Sequence, residues 1–136
     1  MPLSERDREL AFRGYVECAL WTSDDESEDL GGEPLDRNYT VADLAPESLE
    51  AMTADLTRFL ELAGTDVDKL LGGHPWALPD ASYIGHNLWL TQNHHGTGYW
   101  DRGFPKDLGD RLTKAAESIG EAYLRPDDGT VYLERG

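Results

Sequence analysis

The chain predicts an α+β domain: two to four helices packed on a small antiparallel sheet made of two β-hairpins. Three observations point there. Leu49, Met52, Leu56, Phe59, Leu60 and Ala63 recur at spacings of three and four, the signature of an amphipathic helix. Asp128-Gly129 sits between two alternating runs, a strong short-range hairpin signal. The stretch from His86 to Gly103, HNLWLTQNHHGTGYWDRG, opens in alternation and holds turn-forming Asn93-His-His-Gly96, so it predicts the other hairpin. With 136 residues, 39% of them hydrophobic, the chain is long enough to bury one core as a single domain over 1–136.

Ser4-Glu-Arg-Asp7 has the form of a capping box, and a helix from Glu5 to Trp21 follows from it. Gly14 weakens that helix, and Phe12, Gly14, Val16, Cys18 and Leu20 also alternate. Asp24-Asp-Glu-Ser-Glu-Asp29 and then Leu30-Gly-Gly-Glu-Pro34 repel and break, so 22–38 is expected to be an exposed acidic loop. Its contiguous acids lack the spacing of a calcium loop. Thr40-Val-Ala-Asp43 is a second capping pattern. Pro46 then opens the amphipathic helix 46–63, which Gly64 ends, and a short helix runs from Thr65 through Leu71. Residues 72–79 form a breaker-rich connector holding His74 and Trp76. His86 to Thr91 should be a strand and Thr97 to Trp100 its returning partner. Pro105 opens a helix with Leu108, Leu112, Ala115, Ala116 and Ile119 on one face, and Glu121 to Glu134 closes the chain as a hairpin.

Charge is the strongest bulk signal. There are 27 acids against 12 bases, a net −15. Residues 1–68 hold 18 of the acids and 5 of the bases. A field of that sign disfavours direct contact with nucleic acid or anionic membrane and favours a basic protein surface. No apolar run has the length of a membrane span, and the charged opening MPLSERDREL does not have the form of a signal peptide. The lone Cys18 has no internal disulfide partner and fits a reducing cytoplasm. It is expected to be a buried hydrophobe.

The central stretch is the candidate site. His86, Asn93, His95, Asp101 and Arg102 could combine a general base, an orienting acid and an anion clamp, with Trp89, Tyr99 and Trp100 as pocket walls. No nucleophile motif, phosphate loop or dinucleotide fingerprint accompanies them. His86, His95 and Asp101 are suitable metal ligands by type, but their spacing matches no metal motif, and no metal or cofactor is assigned. The plainer expectation is a self-bonded turn with packed tryptophans.

Gly85-His86, Trp89-Leu90-Thr91, Asn93, His95-Gly96, Gly98 and Trp100-Asp101-Arg102-Gly103 resemble a motif, GHxxWLTxNxHGxGxWDRG, of a family of small acidic proteins encoded by bacteriophages and related mobile elements. Similar segments surround Glu17-Cys-Ala-Leu-Trp21, Gly32-Glu-Pro-Leu-Asp36, Asn38-Tyr39, Leu44-Ala-Pro-Glu47 and Asp127-Asp-Gly-Thr-Val-Tyr132. The likeness implies no reaction. It implies a phage accessory protein acting in the cytoplasm of a bacterial host. Joined to the charge, it predicts a non-enzymatic protein that binds a basic host factor for defence or nucleic-acid handling, with carboxylates in the places of phosphates. Those carboxylates are Asp24, Asp25, Glu26, Glu28 and Asp29 in the loop and Glu47, Glu50, Asp55 and Glu61 on helix 46–63. A homodimer is compatible with this reading. The rival is a small enzyme or a ligand- or metal-binding module built on the His86–Arg102 cluster.

Overall fold

Helix α1, Glu5–Thr22, starts where Ser4 accepts the Asp7 backbone N–H at 3.0 Å, the amino-terminal half of the expected capping box. The structure is a computed structural model and describes residues 3–25, 33–95 and 97–136. After α1, β1 (Asp24–Asp25) pairs antiparallel with β2 (Glu33–Pro34). A 3₁₀ turn at Leu35–Arg37 follows, with Leu35 fully buried, so the second half of the expected exposed loop is anchored in the core. Thr40 and Asp43 form a reciprocal capping box over the turn Val41–Asp43. Helix α2, Pro46–Ala63, buries Met52, Leu56, Phe59, Leu60 and Ala63, as its periodicity predicts. The short α3, Thr65–Lys69, leads into the 72–79 connector.

Helix α4, Ser82–Gln92, is the correction to the sequence reading. The stretch expected to open a hairpin is helical, and its expected returning strand is instead a loop ending in a 3₁₀ turn, Tyr99–Asp101. The reason is burial of nearly the whole helix, Tyr83 alone being exposed. Ile84, Gly85, Asn87, Leu88, Trp89, Leu90, Thr91 and Gln92 are all buried. A helix enclosed by its neighbours has no polar stripe, so the period that betrays a surface helix is absent. Its polar side chains are satisfied internally. Tyr15 Oη donates to Gln92 Oε1 at 2.6 Å, Gln92 Nε2 donates to the Gly120 carbonyl at 2.9 Å, and Trp89 Nε1 donates to Thr22 Oγ1 at 2.7 Å.

The contact between α1 and α4 is made by two glycines. A β-carbon at Gly14 would overlap the Ser82 carbonyl, and one at Gly85 would overlap the Ala11 carbonyl. The glycine that weakened α1 as a helix former is therefore what lets another backbone lie against it.

Helix α5, Lys106–Glu117, covers the other side with Leu108, Leu112 and Ala116 buried. The closing hairpin forms as expected: β3 (Ala122–Asp127) pairs with β4 (Thr130–Arg135), with Asp128 and Gly129 both at positive φ in the turn. It is tied down by side chains. Ser23 Oγ accepts the Leu124 N–H at 3.2 Å and Ser48 Oγ accepts the Leu133 N–H at 2.9 Å. Trp89, Tyr15, Tyr99 and Phe59 are the largest fully buried side chains, with Phe59 stacked on Tyr99 at 5.5 Å between centroids. Among the described residues the result is an α+β fold of helices around α4, with one hairpin of six-residue strands and one ladder of two-residue strands.

Candidate functional site

The acidic surface is the first candidate. Glu47, Glu50 and Glu61 are exposed on α2, and among the described residues no ion pair engages them. Asp55 differs: its side chain is only 13% exposed and receives both ends of the Arg135 guanidinium, at 2.7 and 3.0 Å. It serves as an internal clasp between α2 and β4. Asp24 and Asp25 have backbone positions in β1, while Glu26, Glu28 and Asp29 lie outside the described residues.

Beside α2 lies a groove of about 820 Å³ between α1 and residues 36–41. Phe12, Leu20, Tyr39 and Val41 contribute its apolar lining; Glu5, Glu9, Glu17 and Asp36 contribute acids, and Arg8 and Arg13 the bases. Glu5, Glu9 and Glu17 fall at multiples of four along α1, which puts them on one row of the helix. Thr53 also lines the groove, one turn along α2 from Glu50, so the acidic surface continues from the groove onto α2. The expected patch omitted these α1 acids. Their i, i+4 spacing beside Phe12 was readable, but intervening arginines at 6, 8 and 13 masked it in a charge count.

The second candidate is what becomes of the histidine-rich stretch. The structure brings two of its five residues together. His86, on α4, and Arg102 line a cavity of about 340 Å³ with Trp76, Leu78, Pro79, Tyr83 and Asn87. Asn93 is elsewhere and structurally occupied: its Nδ2 donates to the Trp89 carbonyl at 3.1 Å and its Oδ1 accepts the Ala122 N–H at 2.7 Å. His95 is exposed, and its backbone N–H caps α4 at the Leu90 carbonyl. Asp101 takes part in the 3₁₀ turn, and its side chain lies outside the described set. Neighbouring His94 approaches Glu117 at 3.3 Å and Glu121 at 3.7 Å. Trp89 and Tyr99, expected as pocket walls, are core residues, while Trp100 is exposed.

Within the cavity, burial pushes the His86 imidazole below its usual range, and the Arg102 charge adds to that, so the ring is neutral at pH 7. Trp21 stacks on it at 6.1 Å. Arg102 Nε donates to Asn87 Oδ1 at 2.8 Å. That bond fixes the amide orientation and leaves Asn87 Nδ2 as a buried donor with no partner. Such an unpaired group costs about 1–3 kcal/mol unless something accepts from it. Strand alternation places Asn87 on the face opposite His86, so the sequence does not mark it as a neighbour of that histidine. Burial pushes the Cys18 thiol up to about 12, in keeping with a packing role. Among the described residues, no group of three or more His, Cys, Asp or Glu side chains is arranged to hold a metal ion, and no helix is long and apolar enough to cross a membrane. No protein-family model, no curated protein and no solved structure matches the chain.

Proposed function

We propose that the chain is a non-enzymatic binding protein whose acid-rimmed groove beside α1 receives a basic, partly apolar segment of another protein. The groove is the observation that carries this reading: Phe12, Leu20, Tyr39 and Val41 offer apolar surface, and Glu5, Glu9, Glu17 and Asp36 outnumber Arg8 and Arg13 around it. Apolar contact supplies affinity and the acids supply encounter rate and selection for positive charge. In the setting implied by the phage-family resemblance, the partner is a host defence or nucleic-acid-handling factor, and the unpaired Glu47, Glu50 and Glu61 extend the anionic face that it meets. The protein would act there as an inhibitor, its carboxylates occupying positions built for phosphates.

The test is affinity capture from a bacterial host lysate with wild type, the triple variant Glu5→Gln/Glu9→Gln/Glu17→Gln, and Phe12→Ala. The expected outcome is a captured basic protein that is retained at low salt, lost as salt rises, and reduced about tenfold by either variant. Equal capture by wild type and the triple variant removes the reading.

A further inference from the structure

We infer that the groove beside α1 receives its partner as a basic amphipathic α-helix rather than as an extended strand. The inference rests on the groove reading above and deepens it by naming the conformation and charge pattern of the occupant.

The walls decide the conformation. An extended segment laid in an apolar groove must find partners for its own backbone N–H and C=O groups, because leaving them dry costs free energy. From Arg8 on, the N–H groups of α1 are spent inside the helix. The opposite wall has spent its donors too. The N–H groups of Asn38 and Tyr39 both donate to the Leu35 carbonyl, at 3.1 and 2.9 Å. That of Thr40 donates to Asp43 Oδ2 at 2.8 Å, and that of Ala42 to Thr40 Oγ1 at 3.3 Å. Those of Asp43 and Leu44 donate to the Thr40 and Val41 carbonyls, at 2.9 and 3.2 Å. Neither wall therefore presents a strand edge on which an extended segment could add. A helix satisfies its own backbone and brings only side chains, which suits a groove lined by side chains.

The acids decide the charge pattern. Glu5, Glu9 and Glu17 are exposed, and among the described residues no ion pair engages them. Glu5 and Glu9 stand one turn apart, and Arg13 interrupts the row before Glu17. A helix laid alongside matches them with two Lys or Arg one turn apart, an uncharged or acidic residue opposite Arg13, and a further cation beyond it. Apolar residues at spacings of three and four then meet Phe12, Tyr39 and Val41. From Glu5 to Leu20 the α1 wall runs roughly 22 Å at 1.5 Å per residue, so the occupant spans about four turns. A second copy of this chain is a poor occupant, since it brings a further −15.

The experiment titrates the full chain with a synthetic peptide of about four helical turns, built from leucine, lysine and alanine, with leucines at spacings of three and four and lysines one turn apart. Two companions share its length: one has prolines in place of central alanines, the other glutamate in place of every lysine. Nitrogen-15 NMR maps the contact and circular dichroism follows the peptide. The lysine peptide is expected to bind saturably, to gain helical signal as it binds, and to shift amides of residues 5–20 and 36–41. The proline companion keeps the charge and the leucines but loses the helix, and should bind about tenfold more weakly. Glu5→Gln/Glu9→Gln/Glu17→Gln should weaken the lysine peptide about tenfold, and Val41→Ser, at an exposed position, about threefold. Asp107→Asn/Asp110→Asn/Glu117→Gln on α5 removes the same formal charge away from the groove and should change binding by less than about twofold. A proline companion that binds as tightly as the helical peptide, or a lysine peptide that fails to bind at millimolar concentration, overturns the helix inference and leaves standing the groove reading, which asks only for a basic, partly apolar segment. A glutamate companion that binds equally, or an α5 variant that loses as much as the groove variant, removes the groove reading and the inference with it.

Discussion

Asn93 shows how a single side chain can have the chemistry of a site and the duties of a joint. Both its polar atoms are spent on backbone, fastening the end of α4 to the start of β3. Replacing it with alanine orphans the Ala122 N–H and should cost about 1–2 kcal/mol in urea unfolding. His86 carries the pH dependence. Its folded-state pKa lies below the unfolded value of 6.5, so the unfolded chain binds its proton more readily. Stability is therefore full above about pH 6.5 and declines as the pH falls from there through the lowered folded value. Thermal unfolding followed between neutral and mildly acid pH should show this decline in wild type and a shallower one in His86→Gln. A residue-level reading of the sequence could put His86 and Arg102 in one cluster, the first as a general base and the second as an anion clamp. It could not find Asn87, because which side chains meet depends on whether the backbone repeats every two residues or every 3.6.

At the scale of elements, legibility followed exposure. Helices α1, α2 and α5 each keep a solvent face, so their polar residues mark where the core is not, and the Asp128-Gly129 turn carries its own conformational signature. Helix α4 exposes only Tyr83, and its asparagine, threonine and glutamine read as strand-like alternation although every one is buried. Its contact with α1 gives the sharpest element-level prediction. Gly14→Ala or Gly85→Ala sets a methyl group against a carbonyl oxygen of the facing helix, and neither backbone can yield without the other. Each should lower stability by about 1–3 kcal/mol or more, read as a drop in melting temperature with the helical signal retained below it. An unchanged melting temperature would mean that the two helices are not in backbone contact. The Asp55–Arg135 clasp is a milder case: half of Arg135 is in solvent, so Arg135→Ala should cost only about 0.5–1 kcal/mol.

Over the whole molecule, charge decides more than any single contact. Several described carboxylates are held by arginines, among them Asp66 by Arg111, Glu134 by Arg125 and Asp55 by Arg135, and each such pair is neutral, so the excess of 27 acids over 12 bases is left over. What remains outside is strongly anionic. Exposed pairs contribute about 0–1 kcal/mol each, whereas self-repulsion acts across the entire net charge of −15. Moderate salt should therefore raise the melting temperature by a few degrees while weakening capture of a basic partner, opposite responses from one cause. A melting temperature that falls with salt would show that the internal pairs dominate. This balance was partly visible in composition. Which acids are paired was not, because Asp55 and Arg135 are brought together only by the docking of β4 on α2.

The glycine seam between α1 and α4 also has a consequence in time. Tyr15 and Gln92, which close on each other across it, are 77 positions apart in the chain. While the protein is being synthesised, the first helix therefore waits without a surface to rest on until most of the polypeptide has left the ribosome. Its amides should gain protection from hydrogen exchange late, in step with the emergence of α4, and a nascent chain arrested before Gly85 should offer Tyr15 and Val16 to chaperones that the finished molecule never meets.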